Sequence, residues 1–266
     1  MKDALHAYYS QGLERDRLAG ARGILEFERS KEILARRLPE PGSGVVADIG
    51  GGAGRYALWL AGRGHLVEHR DPVPLHVEQV REAAPEGVRT AVGDARELDL
   101  DDASADAVLL LGPLYHLRDR DDRVRALREA ARVVRPGGTV FAAAISRWAP
   151  RYDDLVGRAR YEEDPTMPAR VAEVERTGWM PPIVPGSFWA YLHRPDELRG
   201  EVRDAGLELA DLVGVEGLAF VLPDLERRLA DPLGHEVLLD TARATERVPE
   251  LLGTSPHMIA TAVRPE

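Results

Sequence analysis

The sequence lacks cysteine, and it has few lysines and no long apolar run. The absence of cysteine from all 266 residues excludes disulfides, zinc–thiolate sites, iron–sulfur clusters and cysteine nucleophiles. Lys2 and Lys31 are the only lysines, and 35 basic against 45 acidic residues give a net charge of −10, which disfavours nucleic acid and anionic membranes as partners. No apolar run approaches the ~20 residues of a membrane span, and Met1–Ser10 lacks the features of a signal peptide. We therefore expect a soluble cytoplasmic protein.

Strand–helix alternation organises the middle of the chain. Short apolar runs predict buried strands at 44–50, 65–70, 88–92, 105–111 and 139–145, and later at 207–215 and 258–263. Amphipathic segments predict helices at 56–63, 74–84, 121–134 and 195–205. This alternation is typical of right-handed βαβ units around a parallel sheet.

The segments outside this alternation predict a helical cap. Residues 1–41 are interpreted as an N-terminal helical cap segment, in which Ile24, Phe27, Leu34 and Leu38 share one face. Residues 42–266 are interpreted as one sheet domain with two less periodic insertions, at about 147–187 and 217–255. We expect these insertions and the N-terminal helix to lie over the sheet.

A glycine cluster follows the first predicted strand. Gly50, Gly51, Gly52 and Gly54 would let the backbone approach a ligand closely. Arg55-Tyr56 stands where a P-loop needs Lys-Ser/Thr, which disfavours nucleoside triphosphates. Arg55 also occupies the sixth position of a dinucleotide fingerprint, so a nicotinamide dehydrogenase is a weaker alternative.

Two aspartates follow the next two predicted strands. Asp71, 21 residues after Gly50, could accept hydrogen bonds from both hydroxyls of a ribose. Asp94 could accept one from an adenine amine. Each aspartate alone could equally form a turn or cap a helix. Because all lie at the carboxyl ends of predicted strands, they converge with the glycines on the crevice where open α/β sheets bind ligands.

Together these motifs resemble those of class I S-adenosylmethionine-dependent methyltransferases of the small-molecule type. The matching segments, from the first motif to the fifth, are Val46–Gly54, Asp71, Gly93–Ala95, Asp106–Leu111 and Leu127–Gly138. The resemblance covers about residues 40–146 and recurs at Pro195–Gly206. It implies an α/β, Rossmann-like sheet of seven strands, mostly parallel with the last antiparallel, plus a helical cap.

The resemblance also implies S-adenosylmethionine as the cofactor, lying across the carboxyl edge of the sheet. The implied cofactor-binding residues are Arg29, Asp48, Gly50, Gly51, Gly52, Asp71, Pro72, Asp94, Ala95 and Leu111. The glycines would lie near the methionyl group, Asp71 at the ribose, and Asp94 with Ala95 near the adenine. Arg29 could bind the methionyl carboxylate or be a solvated helix charge, and Arg55 is a second candidate.

The acceptor side is predicted from the loop after the fourth strand and from the cap. Leu111-Gly112-Pro113-Leu114 departs from the Asn/Asp-Pro-Pro-Tyr/Phe sequence that holds a planar amine, which disfavours nucleobase or amide N-methylation. The candidate general bases are His116 and His193, and the candidate substrate contacts are Tyr9, Tyr115 and Tyr191. Each also has a structural reading: His116 could begin a surface helix, Tyr191 and His193 could face solvent, and Tyr9 could pack the first helix on the sheet.

We therefore predict methyl transfer from S-adenosylmethionine to an oxygen or nitrogen, with carbon less favoured, of a small-molecule acceptor. No metal site is predicted, because the acids at 153–154 and 162–164 lack a histidine at ligand spacing and read as solvated. The alternatives are a cyclase or lyase that consumes S-adenosylmethionine, and a non-catalytic S-adenosylmethionine-binding protein on the same fold. The sequence assigns no oligomeric state.

Overall fold

One seven-stranded sheet organises the fold. The computed structural model describes residues 20–83, 86–182 and 188–266, so Tyr9 lies outside the described residues. The strands of this sheet are β1 (Val45–Ile49), β2 (Leu66–Asp71), β3 (Val88–Val92), β4 (Ala105–Leu110), β5 (Val134–Ile145), β8 (Glu208–Gly214) and β9 (His257–Val263). A separate antiparallel pair is formed by β6 (Trp179–Met180) and β7 (Ala190–Tyr191).

The strand order is β3-β2-β1-β4-β5-β9-β8. Strands β1 to β5 pair in parallel, whereas β9 is antiparallel to both of its neighbours, β5 and β8. The chain order reverses at β1, which has β2 on one side and β4 on the other, and such a switch opens a crevice at the carboxyl edge. The predicted Rossmann-like sheet with its last strand antiparallel is confirmed.

Helices cover both faces of the sheet. They are α1 (Ala21–Ala35), α2 (Arg55–Gly62), α3 (Pro74–Ala83), α4 (Pro113–His116), α5 (Arg120–Val133), α6 (Met167–Thr177), α7 (Pro195–Asp204), α8 (Leu225–Ala230) and α9 (Pro232–Thr245). On one face, Leu34 of α1 and Leu60 of α2 pack with Val46 of β1. On the other, Leu127 of α5 packs with Val108 of β4. None of the described helices is long and apolar enough to cross a bilayer.

The predicted bounds agree with the observed ones to within one residue at every strand and helix of the alternation except β5. That strand begins at Val134 rather than Thr139. Val134 pairs with Ala105, after which the register shifts and Thr139 pairs with Ala107. The intervening Gly137 has a φ of 72°, so the turn predicted after α5 is a bulge within β5.

The predicted face of the first helix holds except at Ile24. Leu34 is fully buried, and Phe27 and Leu38 pack against the same core. Ile24 is 36% exposed, whereas its neighbour Leu25 is fully buried. Leu25 packs against Leu225 and Leu238, which belong to α8 and α9. This contact joins segments far apart in the sequence, so the helical period alone does not reveal it.

Two segments leave the sheet at its carboxyl edge. The first, after β5, contains a π-helix (Arg151–Gly157), α6 and β6, and the second, between β8 and β9, contains α8 and α9. Both fall within the predicted insertions. Because β5 and β8 end at the edge where the ligand crevice opens, both segments begin on the ligand side of the sheet. A cap role for them and for residues 1–41 stays a prediction.

Of the acids predicted to be solvated, Glu162 and Glu163 are exposed, whereas Asp153 and Asp154 are paired. Asp153 pairs with Arg22 and Arg158, and Asp154 lies 2.9 Å from Arg160 Nε. These arginines give the acids local counter-charges, which the sequence pattern did not indicate.

A buried ion pair joins α5 to α7. Arg123 is 2% exposed, and its Nε and one terminal nitrogen lie 2.9 and 2.7 Å from the same carboxylate oxygen of Glu201, which is 1% exposed. The other terminal nitrogen donates to the carbonyl oxygens of Leu117 and Arg118, at 2.9 and 2.7 Å. Removing one partner of such a pair would leave an uncompensated buried charge.

We expect Arg123→Met to lower the free energy of unfolding by about 3–5 kcal/mol, because Glu201 would stay buried without its cation. The matched control is Arg120→Met on the same helix, which removes an exposed pair with Asp204 and should have a far smaller effect. Urea unfolding followed by circular dichroism measures both variants. Equal losses of unfolding free energy in the two variants would show that the buried pair stabilises the protein no more than the exposed pair does.

Candidate active site

The glycine loop joins β1 to α2 at the carboxyl edge. Gly50, Gly52 and Gly54 have φ angles of 66°, 57° and 83°, which side-chain-bearing residues rarely adopt. A Cβ on Gly50 would lie 2.6 Å from Cγ of Pro113, the first residue of α4. Glycine therefore lets the β1 loop pack directly against the segment that follows β4.

Asp71, at the end of β2, holds this loop in place. It is 4% exposed, and its Oδ2 accepts a hydrogen bond of 2.9 Å from the Gly52 N–H. Its Oδ1 accepts one of 2.9 Å from the Val73 N–H and lies 2.9 Å from His76 Nδ1. A carboxylate offers about four acceptor sites, so these contacts leave capacity for a ligand hydroxyl.

Asp48, at the end of β1, is buried beneath the same loop. It is 1% exposed, and neither of its carboxylate oxygens accepts a hydrogen bond of ordinary geometry from a described group. A Cβ on Gly51 would overlap this carboxylate, so the loop lies directly on it. Burial, and then the charge of Asp71, raises the pKa of Asp48 to about 7. Asp48 can therefore change its charge near neutral pH at the cofactor edge.

His69 and His76 support the loop from below, and sequence reasoning missed both. His69 is fully buried, with Nε2 at 3.1 Å from the Gly52 carbonyl oxygen and Nδ1 at 2.8 Å from Thr90 Oγ1. Burial lowers the pKa of His69, which favours a neutral ring. Strand alternation puts His69 on the same side of β2 as Asp71, a signal that could have identified it.

The loop after β3 lies beside these groups in the strand order. Asp94 is paired with Arg96, whose Nε and terminal nitrogen lie 2.9 and 2.7 Å from its two oxygens. Pro72, Ala95 and Leu111 follow the ends of β2, β3 and β4 and are partly buried. The fold therefore brings the predicted cofactor residues to neighbouring strand ends, with one exception.

That exception is Arg29. It is fully buried, with one terminal nitrogen 2.6 Å from a Glu246 oxygen, another on Glu32, and Nε donating to the Val215 carbonyl oxygen at 3.2 Å. Val215 follows β8, the edge strand at the opposite end of the sheet order from β3. This pairing argues against both predicted roles, the solvated charge and the methionyl ligand. Arg55, exposed at the start of α2, remains the candidate for the methionyl carboxylate.

His193 does not face an open crevice, contrary to the prediction. It is fully buried, its Nε2 lies 3.2 Å from a Glu201 oxygen, and burial lowers its pKa. Its ring contacts Tyr191 at a centroid distance of 4.8 Å, and the Arg123 guanidinium lies 3.6 Å from the Tyr191 ring centre. The two side chains share one side, as alternation predicted, but that side faces the buried ion pair. We therefore do not retain His193 as a base.

His116 lies in an aromatic cluster at the carboxyl end of β4. Helix α4 places it beside Tyr115, at a ring centroid distance of 4.6 Å, and Phe188 lies 5.5 Å from it. All three side chains are partly buried. This cluster follows the strand next to β1, so it lies beside the glycine loop on the side away from Asp71.

Comparison with known proteins identifies the domain. Residues 47–142 match the family described as a methyltransferase domain. Residues 47–142 therefore form a class I S-adenosylmethionine-dependent methyltransferase domain. S-adenosylmethionine is the cofactor that this assignment implies.

Relatives of this methyltransferase domain differ in their named reactions. An uncharacterized methyltransferase of Mycobacterium tuberculosis is 34% identical over 141 residues, 49% of this chain and 55% of that protein. A ubiquinone biosynthesis O-methyltransferase of Methylobacterium is 30% identical over 189 residues, 66% of this chain and 65% of that protein. The chain thus spans about half to two thirds of the length of these curated relatives. Other matches are named as a C-methyltransferase, in Acidiphilium cryptum, and as a tRNA methyltransferase, in mouse.

Solved structures share the whole fold at low identity. An S-adenosylmethionine-dependent methyltransferase of Methanosarcina mazei superposes with a TM-score of 0.59 at 20% identity, covering 88% of this chain and 97% of its own. The structural likeness therefore extends through the segments beyond the matched domain.

We expect Asp48→Asn to stabilise the cofactor-free protein at pH 8. Because the folded pKa of Asp48 is raised to about 7, its contribution to stability is present below the ordinary Asp range and is lost as pH rises to about 7. The amide stays neutral, so its advantage should grow to about 2–4 kcal/mol by pH 8. Urea unfolding at pH 5, 6, 7 and 8 measures the difference in unfolding free energy between the variant and wild type.

Asp106→Asn is the matched control, because the pKa of Asp106 is shifted in the opposite direction to that of Asp48. Arg135 and the Val45 N–H overcome burial and hold the pKa of Asp106 below its ordinary value, so its contribution is present above that value. Asp106→Asn should therefore destabilise the protein at neutral pH. A pH-independent difference between wild type and Asp48→Asn would contradict the raised pKa.

Proposed function

We propose that the chain transfers the methyl group of S-adenosylmethionine to an oxygen or nitrogen of a small molecule. The observation that carries this proposal is the assembly around Gly52, whose N–H is bound by Asp71 while Asp48 lies buried below. We assign the methionyl group to Gly50–Gly52, the ribose to Asp71 and Pro72, and the adenine to Asp94 and Ala95, with Leu111 flanking the cofactor.

Methyl transfer from a sulfonium is an in-line displacement, for which the cofactor supplies both the electrophile and the leaving group. The protein must orient the acceptor, exclude water and, for a hydroxyl or a protonated amine, remove a proton. His116 is the proposed base, because it follows β4 beside the proposed methionyl site and has partly buried aromatic neighbours. Tyr115 and Phe188 supply apolar surface for the acceptor.

The charge of the chain supports a small acceptor over tRNA. A net charge of −10 opposes binding to a phosphate backbone. Gly112-Pro113-Leu114 after β4 also lacks the polar side chain that would hold a planar amine. A carbon acceptor would need a carbanion-like nucleophile, and an oxygen or nitrogen acceptor is the better match to a histidine base.

We expect Asp71→Ala to weaken binding of S-adenosylhomocysteine about tenfold or more, because losing a buried acceptor typically costs ~1–3 kcal/mol. Isothermal titration calorimetry measures the affinity, and circular dichroism checks the fold. Asp99→Ala, at a carboxylate that is 59% exposed in the loop beyond Asp94, should bind normally. Unchanged affinity in Asp71→Ala would refute the ribose assignment.

We expect His116→Gln to lower kcat by about 10²–10⁴-fold with the affinity for S-adenosylhomocysteine retained, as for loss of a general base. A panel of phenols and amines, screened by release of S-adenosylhomocysteine, would first provide an acceptor. The wild-type rate should rise with pH through the histidine range, and the variant's should not. A loss below tenfold with a flat wild-type profile would indicate catalysis by proximity alone.

Incubation with S-adenosylmethionine alone separates the alternative functions. Rapid conversion to a product other than slow hydrolysis would assign a cyclase or lyase. Binding without turnover of any acceptor in the panel would favour a non-catalytic protein.

A further inference from the structure

Two glutamates and a histidine meet near the carboxyl edge on the β8–β9 side of the sheet. Glu26 belongs to α1, Glu216 follows β8, and His257 is the first residue of β9. One ligand atom from each lies within 4.8 Å of the other two. Nδ1 of His257 is 2.6 Å from Glu216 Oε1 and 4.0 Å from Glu26 Oε2.

The protein orients the Glu216 carboxylate. Its Oε2 accepts hydrogen bonds from the Ser255 hydroxyl at 3.1 Å and from the His257 N–H at 3.3 Å. The Ser255 hydroxyl oxygen in turn accepts from the N–H groups of Glu216 and Gly217, at 3.0 and 3.2 Å. Uncharged groups thus hold Oε2 of Glu216, while Oε1 points at the imidazole of His257. Outer hydrogen-bond partners orient metal-binding carboxylates in the same way.

The charge of the triad favours a divalent cation. Glu216 is 3% exposed, and a carboxylate so buried requires a counter-charge. Among the described residues, the ionisable side chain hydrogen-bonded to Glu216 is that of His257. A divalent ion bound to a neutral imidazole would supply that counter-charge to Glu216 directly.

The ligand types narrow the choice of ion. An imidazole nitrogen with two carboxylate oxygens suits Zn²⁺, Mn²⁺ or Fe²⁺ better than Mg²⁺ or Ca²⁺, which prefer oxygen alone. Metal–ligand bonds of ~2.0–2.2 Å place neighbouring ligand atoms roughly 3–4 Å apart. His257 Nδ1 and Glu216 Oε1, at 2.6 Å, would therefore separate slightly on binding, whereas Glu26 Oε2, at 4.0 Å from Nδ1, would move closer. Three protein ligands would leave positions open for water or another oxygen ligand.

We propose that Glu26, Glu216 and His257 form a binding site for one divalent transition-metal ion. The site is independent of the cofactor residues. Strand β9 lies two strands from β4, about 10 Å along the sheet, on the side away from β1. The proposal also goes beyond methyl transfer, and binding measurements without any acceptor test it.

The test is calorimetric titration of chelator-treated protein with Zn²⁺ and with Mn²⁺. Wild type should bind one equivalent of at least one of these ions. Glu216→Gln and His257→Gln should each weaken binding at least tenfold, and Ser255→Ala should weaken it by about 10–100-fold through loss of orientation. Glu26→Gln gives a second ligand variant at a side chain that is 13% exposed, should the buried substitution prevent folding.

The matched control is His235→Gln. His235 pairs with Glu28 of α1 at 2.6 Å, a half-exposed histidine–carboxylate pair near the same helix but with one carboxylate only. This control should bind metal like wild type. The absence of a one-equivalent site for both ions in wild type, or an equal loss in His235→Gln and His257→Gln, would overturn the proposal and leave the triad as an ion-pair cluster. Titration with S-adenosylhomocysteine should be unaffected in His257→Gln, which separates this outcome from failure of the proposed function.

Discussion

The hydrogen bond between the Gly52 N–H and the Asp71 carboxylate, at 2.9 Å, links the two strand ends on which the cofactor edge depends. It holds the loop after β1 against the end of β2, while the glycines let the same loop lie on Asp48 and against Pro113. A side chain at Gly50 or Gly51 would separate these layers. The buried carboxylates and His69 therefore form a platform under the loop, and their desolvation makes Asp48 sensitive to pH.

Arginine supplies almost all the positive charge of this chain, and the structure uses it for long-range pairing. Arg123 and Arg29 are both fully or nearly fully buried. Arg123 donates to one carboxylate and two backbone carbonyls, and Arg29 to two carboxylates and one backbone carbonyl. A planar guanidinium with five donors can satisfy several partners at once, which a lysine ammonium does less well. Such pairs join α5 to α7, two helices of the alternation, and α1 to Glu246, which follows α9 in the second inserted segment.

The sequence predicted the sheet well because its signals are local. Apolar runs, glycine turns and amphipathic periods each lie within about a dozen residues, and the strand bounds from β1 to β4 follow from them. The same locality explains the success of the glycine loop and Asp71 as neighbours. Arg29 could not be placed in this way, because it pairs with Glu246, 217 residues away. His193 contacts Glu201 only 8 residues later, but Glu201 is itself paired with Arg123, 78 residues away, and this pair is not evident from the sequence.

The two halves of the carboxyl edge therefore differ in whether their polar groups lie in local sequence motifs or come from distant parts of the chain. In the half formed by β1, β2 and β3, the polar groups belong to short motifs at the end of each strand, so a sequence pattern identifies them. The half formed by β5, β9 and β8 receives α1 and two inserted segments, and its polar groups come from distant parts of the chain. Glu26, Glu216 and His257 are separated by 190 and 41 residues, yet they meet because α1 crosses the face near the ends of β8 and β9. In this half, tertiary contacts rather than motifs determine which polar groups become neighbours.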